Sequence, residues 1–299
     1  MVRNKPHKVE SNSNSDYEVV QSGELMTFLI QTFPEKSRTT IKSLLVHRQV
    51  KVNDAIITKY NHTLRVGDTV SIIKGKGPVE FKSEDIKILF EDDYIIVIEK
   101  EAGLLSIATS NERERTAYSI LRQHIKDENP KNQIFIIHRL DKETSGIMMF
   151  AKDVKIQETL QKNWHSAVLE RSYIAIVEGF VAKKEDTITS WLKESSAMKM
   201  HSSDKPDDGQ IAVTKYNIIK QDKQFSMLKV ILDTGRKNQI RVHMKEMGHP
   251  VVGDKKYGAK TNPIQRMGLH ANLLVFKHPI TEAELRFESP IPRKFKRLL

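Results

Sequence analysis

From Glu24 the chain places apolar residues at helical spacing. "ELMTFLIQTF" and "SRTTIKSLLVHRQ" each carry Leu, Ile, Met, Phe or Val every three or four positions, the mark of a helix with one buried side. Ser37 stands where an N-cap belongs, and Pro34 separates the two helices. The pattern then shortens to alternation in "VKVND" and "DTVSII", with Gly67 and Asp68 as turn residues, which predicts two strands. Residues 17–74 are therefore expected to form a small module, a helix pair closed by a ribbon. The polar residues before it, 1–16 with their "SNSNS" run, are expected to be a disordered tail.

"KGKGPVEFKSED" mixes Gly, Pro and Lys without the full glycine spacing of a phosphate loop, so residues 75–85 are expected to be a linker. Beyond it come the β-rich runs "YIIVI", "IFII", "IMMF", "YIAIV", "IAVTKYNII", "MLKVIL" and "LLVF", with helices predicted near 115–126, 154–168 and 239–247. Several later strands are separated by hairpin-length gaps, and regular strand–helix alternation is missing. Residues 86–299 are thus expected to be an α+β domain with a mainly antiparallel central sheet.

Composition narrows the chemistry. No apolar run among the 299 residues approaches the roughly 18 of a membrane span, so no membrane partner is expected. The N-terminus has no apolar stretch of a secretory signal, and the cytoplasm is the expected location. With no cysteine, disulfides, thiolate metal sites and cysteine nucleophiles are excluded. No H-E-x-x-H or G-x-S-x-G pattern occurs, which removes support for zinc hydrolysis and for acyl transfer through a serine elbow. A formal charge of +11, from Lys+Arg 49 against Asp+Glu 38, favours a polyanionic partner, nucleic acid before others.

The charge has a place in the small module. Lys36, Arg38, Lys42 and Arg48 surround a helix whose apolar side is Ile41, Leu44 and Leu45, leaving one basic face that either tracks a phosphate backbone or is simply solvated. The segment "SRTTIKSLLVHRQVKVND" resembles the alpha-L RNA-binding motif, found in a small-subunit ribosomal protein and in RNA-modifying enzymes. It departs from that motif at Gln49 and Asp54, where glycine is usual.

In the larger domain "HRLDKETSGIMMFAK", residues 138–152, sets Asp141 between two apolar runs, where it reads as a turn cap or a partner of Arg139. Ser145 reads as a turn residue, since His138 is near it only in sequence. The glycine-rich "DTGRKNQIRVHMKEMGHPVVGDKKYG" places Arg236 and Arg241 around the start of a helix predicted to run from about Asn238 to Gly248, open to an anionic substrate.

These two segments are similar to the two signatures of the RluA-type RNA pseudouridine synthases. "EDDYIIVIEKEAGLLS", "RSYIAIVEG", "GQIAVTKYNII" and "GLHANLLVFKHP" follow in family order across residues 86–290. The resemblance implies the pseudouridine synthase fold and maps the catalytic aspartate to Asp141, the base-contacting tyrosine to Tyr173 and the arginine partner of the aspartate to Arg241. Arg139, Arg236 and Gln239 are expected to contact RNA. The reaction isomerises uridine with no net oxidation or hydrolysis, so no cofactor and no metal are expected. A guanidinium offers two parallel donors to a carboxylate, which is the expected form of the Arg241–Asp141 pair. The sequence departs from the family at Glu101, usually Pro, and at Lys237 and Asn238, usually Thr-His. A monomer acting on large-subunit ribosomal RNA is the expectation. Transfer RNA is the alternative substrate, and a non-catalytic RNA-binding assembly factor is the rival from another class.

Overall fold

The computed structural model describes residues 8–10, 15–73, 81–109, 115–206 and 208–299. The chain divides into two compact units, Met1–Phe81 with His124–Lys131, and Lys82–Gln123 with Asn132–Leu299.

In the first unit helices run over Leu25–Thr32 and Arg38–Val46. Ser37 caps the second, its hydroxyl accepting from Thr40 N at 3.1 Å. Leu25, Leu29, Ile41 and Leu45 turn inward onto Val50, Val52, Leu64 and Val70, so the 3.6-residue period of the helices becomes one core with the ribbon. A five-stranded sheet follows the order Lys8–Glu10, Ser15–Glu18, Thr69–Ile72, Val50–Val52, Ala55–Ile56. The turns expected at Gln49 and Asp54 form without glycine. Arg48, not Gln49, takes the left-handed backbone before the strand (φ 58°), and Asn53 and Asp54 share the next turn at 48° and 67°. Asn and Asp tolerate this region, and Asn53 adds side-chain bonds to Asp68 and to Thr69 N.

The expected tail is partly ordered. Lys8–Glu10 pairs antiparallel with Ser15–Tyr17, because the open edge of the Ser15–Glu18 strand accepts another strand. Residues 1–7 and 11–14 lie outside the described residues, as do 74–80, which hold the Gly-x-Gly of the expected linker.

The second unit is an α+β fold around a sheet of eleven strands among the described residues. Its path is Met200–Ser203, Glu185–Glu194, Gln210–Gln221, Phe225–Leu232, Val168–Glu178, Leu269–Lys277, Ser145–Ala151, Ile95–Lys100, Ile86–Glu91. Phe135–Ile136 pairs with Ser145–Ala151, and Glu284–Glu288 with Leu269–Lys277. Pairing is antiparallel except between Ser145–Ala151 and Leu269–Lys277, where Gly146 lies opposite Ala271 in a parallel register. Gly146 has φ 116°, and a Cβ there would stand 2.1 Å from the Ala271 carbonyl oxygen, so only glycine permits this approach.

Helices cover parts of the sheet. Ile240 and Met244 of Gln239–Glu246 pack on Val177, Leu228, Val230 and Leu269. Ile156 and Leu160 of Val154–Lys162 pack on Ile95, Val97, Met149 and Phe276. Removing one such side chain costs about 2–5 kcal/mol. No helix among the described residues is long and apolar enough to cross a membrane.

Candidate active site

Asp141 sits in the connection from Phe135–Ile136 to Ser145–Ala151, in a turn closed by Thr144 N donating to the Asp141 carbonyl at 3.1 Å. Thr144 belongs to that turn, whereas Ser145 and Gly146 already start the strand. The loop is held from below by Lys100, fully buried, whose ammonium donates to the carbonyls of Leu104, Glu101 and Lys142 at 2.7, 2.9 and 3.3 Å. Burial lowers the Lys100 pKa to about 8.

The aspartate meets the start of the Gln239–Glu246 helix. Its Oδ2 accepts from Arg241 Nη1 at 2.8 Å and from Asn238 Nδ2 at 2.6 Å. Among the described residues its Oδ1 has no hydrogen bond, and the residue lines a cavity with Arg139, Tyr173, Leu232, Arg236 and Leu269.

The expected two-pronged pair between Arg241 and Asp141 is corrected by the structure. Arg241 gives its parallel donors, Nε and Nη2, to Asp254 at 2.6 and 2.8 Å, and spends only Nη1 on Asp141. A guanidinium has more than one edge, and the Nε–Nη2 edge is taken by a carboxylate whose side chain is 1% exposed. Burial works against the charge of Arg241, but the bonds to Asp254 and the nearness of both carboxylates outweigh it and raise its pKa above the usual range. Its Cζ lies 4.9 Å from the Tyr257 ring centroid. The Tyr257 hydroxyl donates to Asn238 Oδ1 at 3.1 Å. One tyrosine therefore touches both donors of Asp141.

Asn238, where the family usually has histidine, adopts φ 54° as the residue before the helix. Its amide spans Tyr257 and Asp141, so the departure falls on a direct partner of the aspartate. Asp254 and Tyr257 escaped the sequence reading. Only the glycine-framed "GDKKYG" marks them, and that run reads equally well as a surface turn.

Tyr173 lies mid-strand in Val168–Glu178, half-buried against the core. Burial raises its pKa, Arg171 opposes the rise and the nearby Asp141 adds to it. Arg139 is exposed at the cavity and makes no ion pair with Asp141, so the pairing considered for it is absent. Arg236 also lines the cavity, with Nε donating to the Ile211 carbonyl at 3.0 Å.

Gln239, expected to contact RNA, is 3% exposed with its polar capacity filled inside the protein. Its Oε1 accepts from Thr234 Oγ1 and Arg236 N, and its Nε2 donates to the Val213 carbonyl and Thr214 Oγ1. An amide has two donors and two acceptor lone pairs, so nothing remains for RNA. Gln239 fastens the loop before the helix to the sheet.

His138 is not beside Ser145. It accepts from Met149 N at 3.1 Å, and burial, with Arg171 second, lowers its pKa to about 3. Ser145 is buried against His270 and Arg266 instead.

In the first unit Lys36, Arg38 and Lys42 are exposed and Arg48 is half-buried. Lys36 makes a loose contact with Glu35 at 3.8 Å.

Comparison with known proteins shows the family. Residues 94–246 match the RNA pseudouridylate synthase family, and residues 25–70 match the S4 domain. The chain is 30% identical to YhcT of Bacillus subtilis, an uncharacterized RNA pseudouridine synthase, over 93% of each chain. It is 31% identical to the ribosomal large subunit pseudouridine synthase D of Haemophilus influenzae, over 91% of this chain and 88% of the relative. The solved structure of human RNA pseudouridylate synthase domain containing 4 shares the fold, with a TM-score of 0.57 at 23% identity over 70% of this chain and 90% of that one. The antiparallel sheet, the aspartate held at its cleft and these matches lead to one conclusion: the chain belongs to the RNA pseudouridylate synthase family and carries an S4 domain before its catalytic part.

Proposed function

We propose that the protein isomerises specific uridines of large-subunit ribosomal RNA, with Asp141 as the essential carboxylate, Tyr173 as the face that receives the flipped base and Arg241 as the charged partner of Asp141. In this reading residues 17–74 hold RNA, 75–85 join the parts and 86–299 catalyse, in a cytoplasmic monomer needing neither metal nor cofactor. The observation that carries the site is the one-sided bonding of Asp141. Oδ2 is held by Arg241 and Asn238, while Oδ1 is left for the cavity.

The chemistry asks for that asymmetry. The bond from uracil N1 to ribose C1′ breaks, the base turns, a bond forms from C5 to C1′, and the C5 proton leaves to solvent while N1 gains one. A carboxylate with one fixed and one open oxygen can attack the nucleoside or take a sugar proton without losing its orientation. A stacked uridine must first be extruded, at a cost of a few kcal/mol, and an aromatic face with exposed cations at the rim offsets it. Arg139, exposed at that rim, suits the vacated position in the RNA. Relatives named for the large ribosomal subunit support ribosomal RNA as the substrate.

Asp141→Ala is expected to lower tritium release from C5-labelled uridine in RNA at least about a thousandfold while RNA affinity stays within about threefold. Release at the wild-type rate would sink the site. Pseudouridine mapping in RNA from a deletion strain tests the substrate. A missing pseudouridine in transfer RNA, with large-subunit RNA unchanged, would replace the ribosomal reading.

A further inference from the structure

A second cavity lies beside the first and shares Leu232 with it. Its wall includes Trp164, Leu169, Glu170, Arg171, Ile231 and Asp233. The two acids in this wall are matched. Glu170 Oε1 accepts from Lys229 at 3.2 Å, and Asp233 Oδ2 lies 2.7 Å from Lys215 Nζ. Arg171 is not matched. Its guanidinium makes no hydrogen bond and no ion pair among the described residues.

A guanidinium carries five donors, and at this half-buried position they meet no protein acceptor and are open to the cavity. Its Cζ lies 5.3 Å from the Trp164 ring centroid, a cation–π contact that balances charge but accepts none of the N–H groups. Burial pushes its pKa below the usual range, with the nearby Tyr173 opposing, and its charge in turn helps hold His138 neutral. The backbone makes room for it as well. A Cβ on Gly235 would stand 2.8 Å from Arg171 Nη1, so the glycine of "DTGR" leaves the guanidinium its place. Arg171 is two residues from Tyr173 on one strand, hence on the same face about 6.6 Å away along the chain. That is close to one nucleotide step of an unstacked strand.

We propose that this cavity binds the phosphodiester adjoining the target uridine, with Arg171 donating to its non-bridging oxygens. The assignment rests on the uridine entering the Asp141–Tyr173 cavity. It makes Trp164 the platform that fixes the guanidinium plane and Gly235 the residue that lets it reach the ligand. Bidentate donation to a phosphate fills the donors that the protein leaves empty.

The test uses the full-length enzyme and the RNA fragment that carries the pseudouridine mapped for it, with the backbone phosphates randomly ethylated. Ethylation next to the target uridine should exclude RNA from the wild-type complex and should no longer do so with Arg171→Gln. Arg171→Gln should also raise KM about tenfold with kcat within about threefold, and Arg171→Lys should recover part of that loss. Gly235→Ala, which displaces the guanidinium without changing charge, should raise KM in the same direction and serves if Arg171→Gln melts below the wild type. Interference that persists at that phosphate in the variants, or a wild-type KM, would overturn the assignment while leaving the Asp141 site intact. Turnover surviving in Asp141→Ala would overturn the placement of the uridine itself.

Discussion

Asp141 and the basic face of the Arg38–Val46 helix both read as RNA-directed, yet they are built in opposite ways. The aspartate is braced through two layers. Arg241 and Asn238 bond it, Asp254 bonds Arg241, and Tyr257 touches both donors. Lys36, Arg38 and Lys42 stand in solvent with no comparable bracing. The difference suits the tasks proposed for them. Bond rearrangement at one carbon requires a carboxylate fixed to a fraction of an ångström, whereas affinity for a polyanion needs charge density and tolerates mobile side chains.

The contrast breaks most visibly at Asp254. Asp254→Ala should destabilise the catalytic unit by about 2–3 kcal/mol, because it removes the two parallel charge-assisted bonds of Arg241, 12% exposed, and leaves that charge only its single bond to Asp141. Urea unfolding measures it, and a loss below about 1 kcal/mol would mean Arg241 finds another partner.

Acid is the next lever. His243, between Ser190 and Thr214, and His270, between Ser145 and Ser289, are both lowered to about 4 by burial. The unfolded chain takes up protons at these positions below about pH 6.5 while the folded one resists until about 4. Stability is therefore complete above 6.5 and falls as pH drops toward 4, by on the order of 1.4 kcal/mol per unit for each histidine. Residues 15–73 bury no histidine, so melting followed by pH should show the loss in the catalytic unit, and His243→Gln should reduce the slope by the share of His243, leaving those of His270 and His138. A slope unchanged by that variant would exclude His243 as a source.

Tyr257→Phe keeps the ring against Arg241 and removes the hydroxyl that holds Asn238. Single-turnover tritium release should slow about tenfold with KM little changed. An equal rate would show that Asn238 holds Asp141 unaided. The smallest effects belong to the basic helix. Lys36→Gln, Arg38→Gln and Lys42→Gln should each leave kcat unchanged and shallow the salt dependence of RNA binding by roughly 0.7–0.9 in log–log slope. A change in kcat instead of slope would erase the distinction between the two regions.

Much of this was legible in the chain, and the exceptions share causes. Runs such as "IIVI", "IMMF" and "YIAIV" fall on strands buried on both faces, where apolar continuity is the signal. Glu185–Glu194, Met200–Ser203 and Glu284–Glu288 escaped because they are partly exposed and mostly polar, held by their neighbours' ladders rather than by their own hydrophobicity. The family resemblance pointed to Asp141, Tyr173 and Arg241, and the structure places Asp141, Tyr173 and Arg241 around one cavity, but the resemblance did not show that Asp254 takes the parallel donors of Arg241. That depends on a fold returning residue 254 to the helix thirteen residues before it, which no local pattern announces. Gln239 misled for the opposite reason, since a polar side chain between Arg236 and Arg241 looks solvent-facing until its four bonds are counted.

The parallel seam at Gly146 and Ala271 also governs time. Asp141 leaves the ribosome about a hundred residues before Arg241, and the strand that locks its loop into the sheet lacks its parallel neighbour until residue 271 has been made. At ordinary elongation rates of about 5–20 residues per second, the gap between aspartate and arginine lasts on the order of five to twenty seconds. During that interval a nascent chain has its S4 domain complete and its carboxylate without the arginine. On the proposed function, such a chain holds RNA before it can alter it, and synthesis itself orders binding ahead of chemistry.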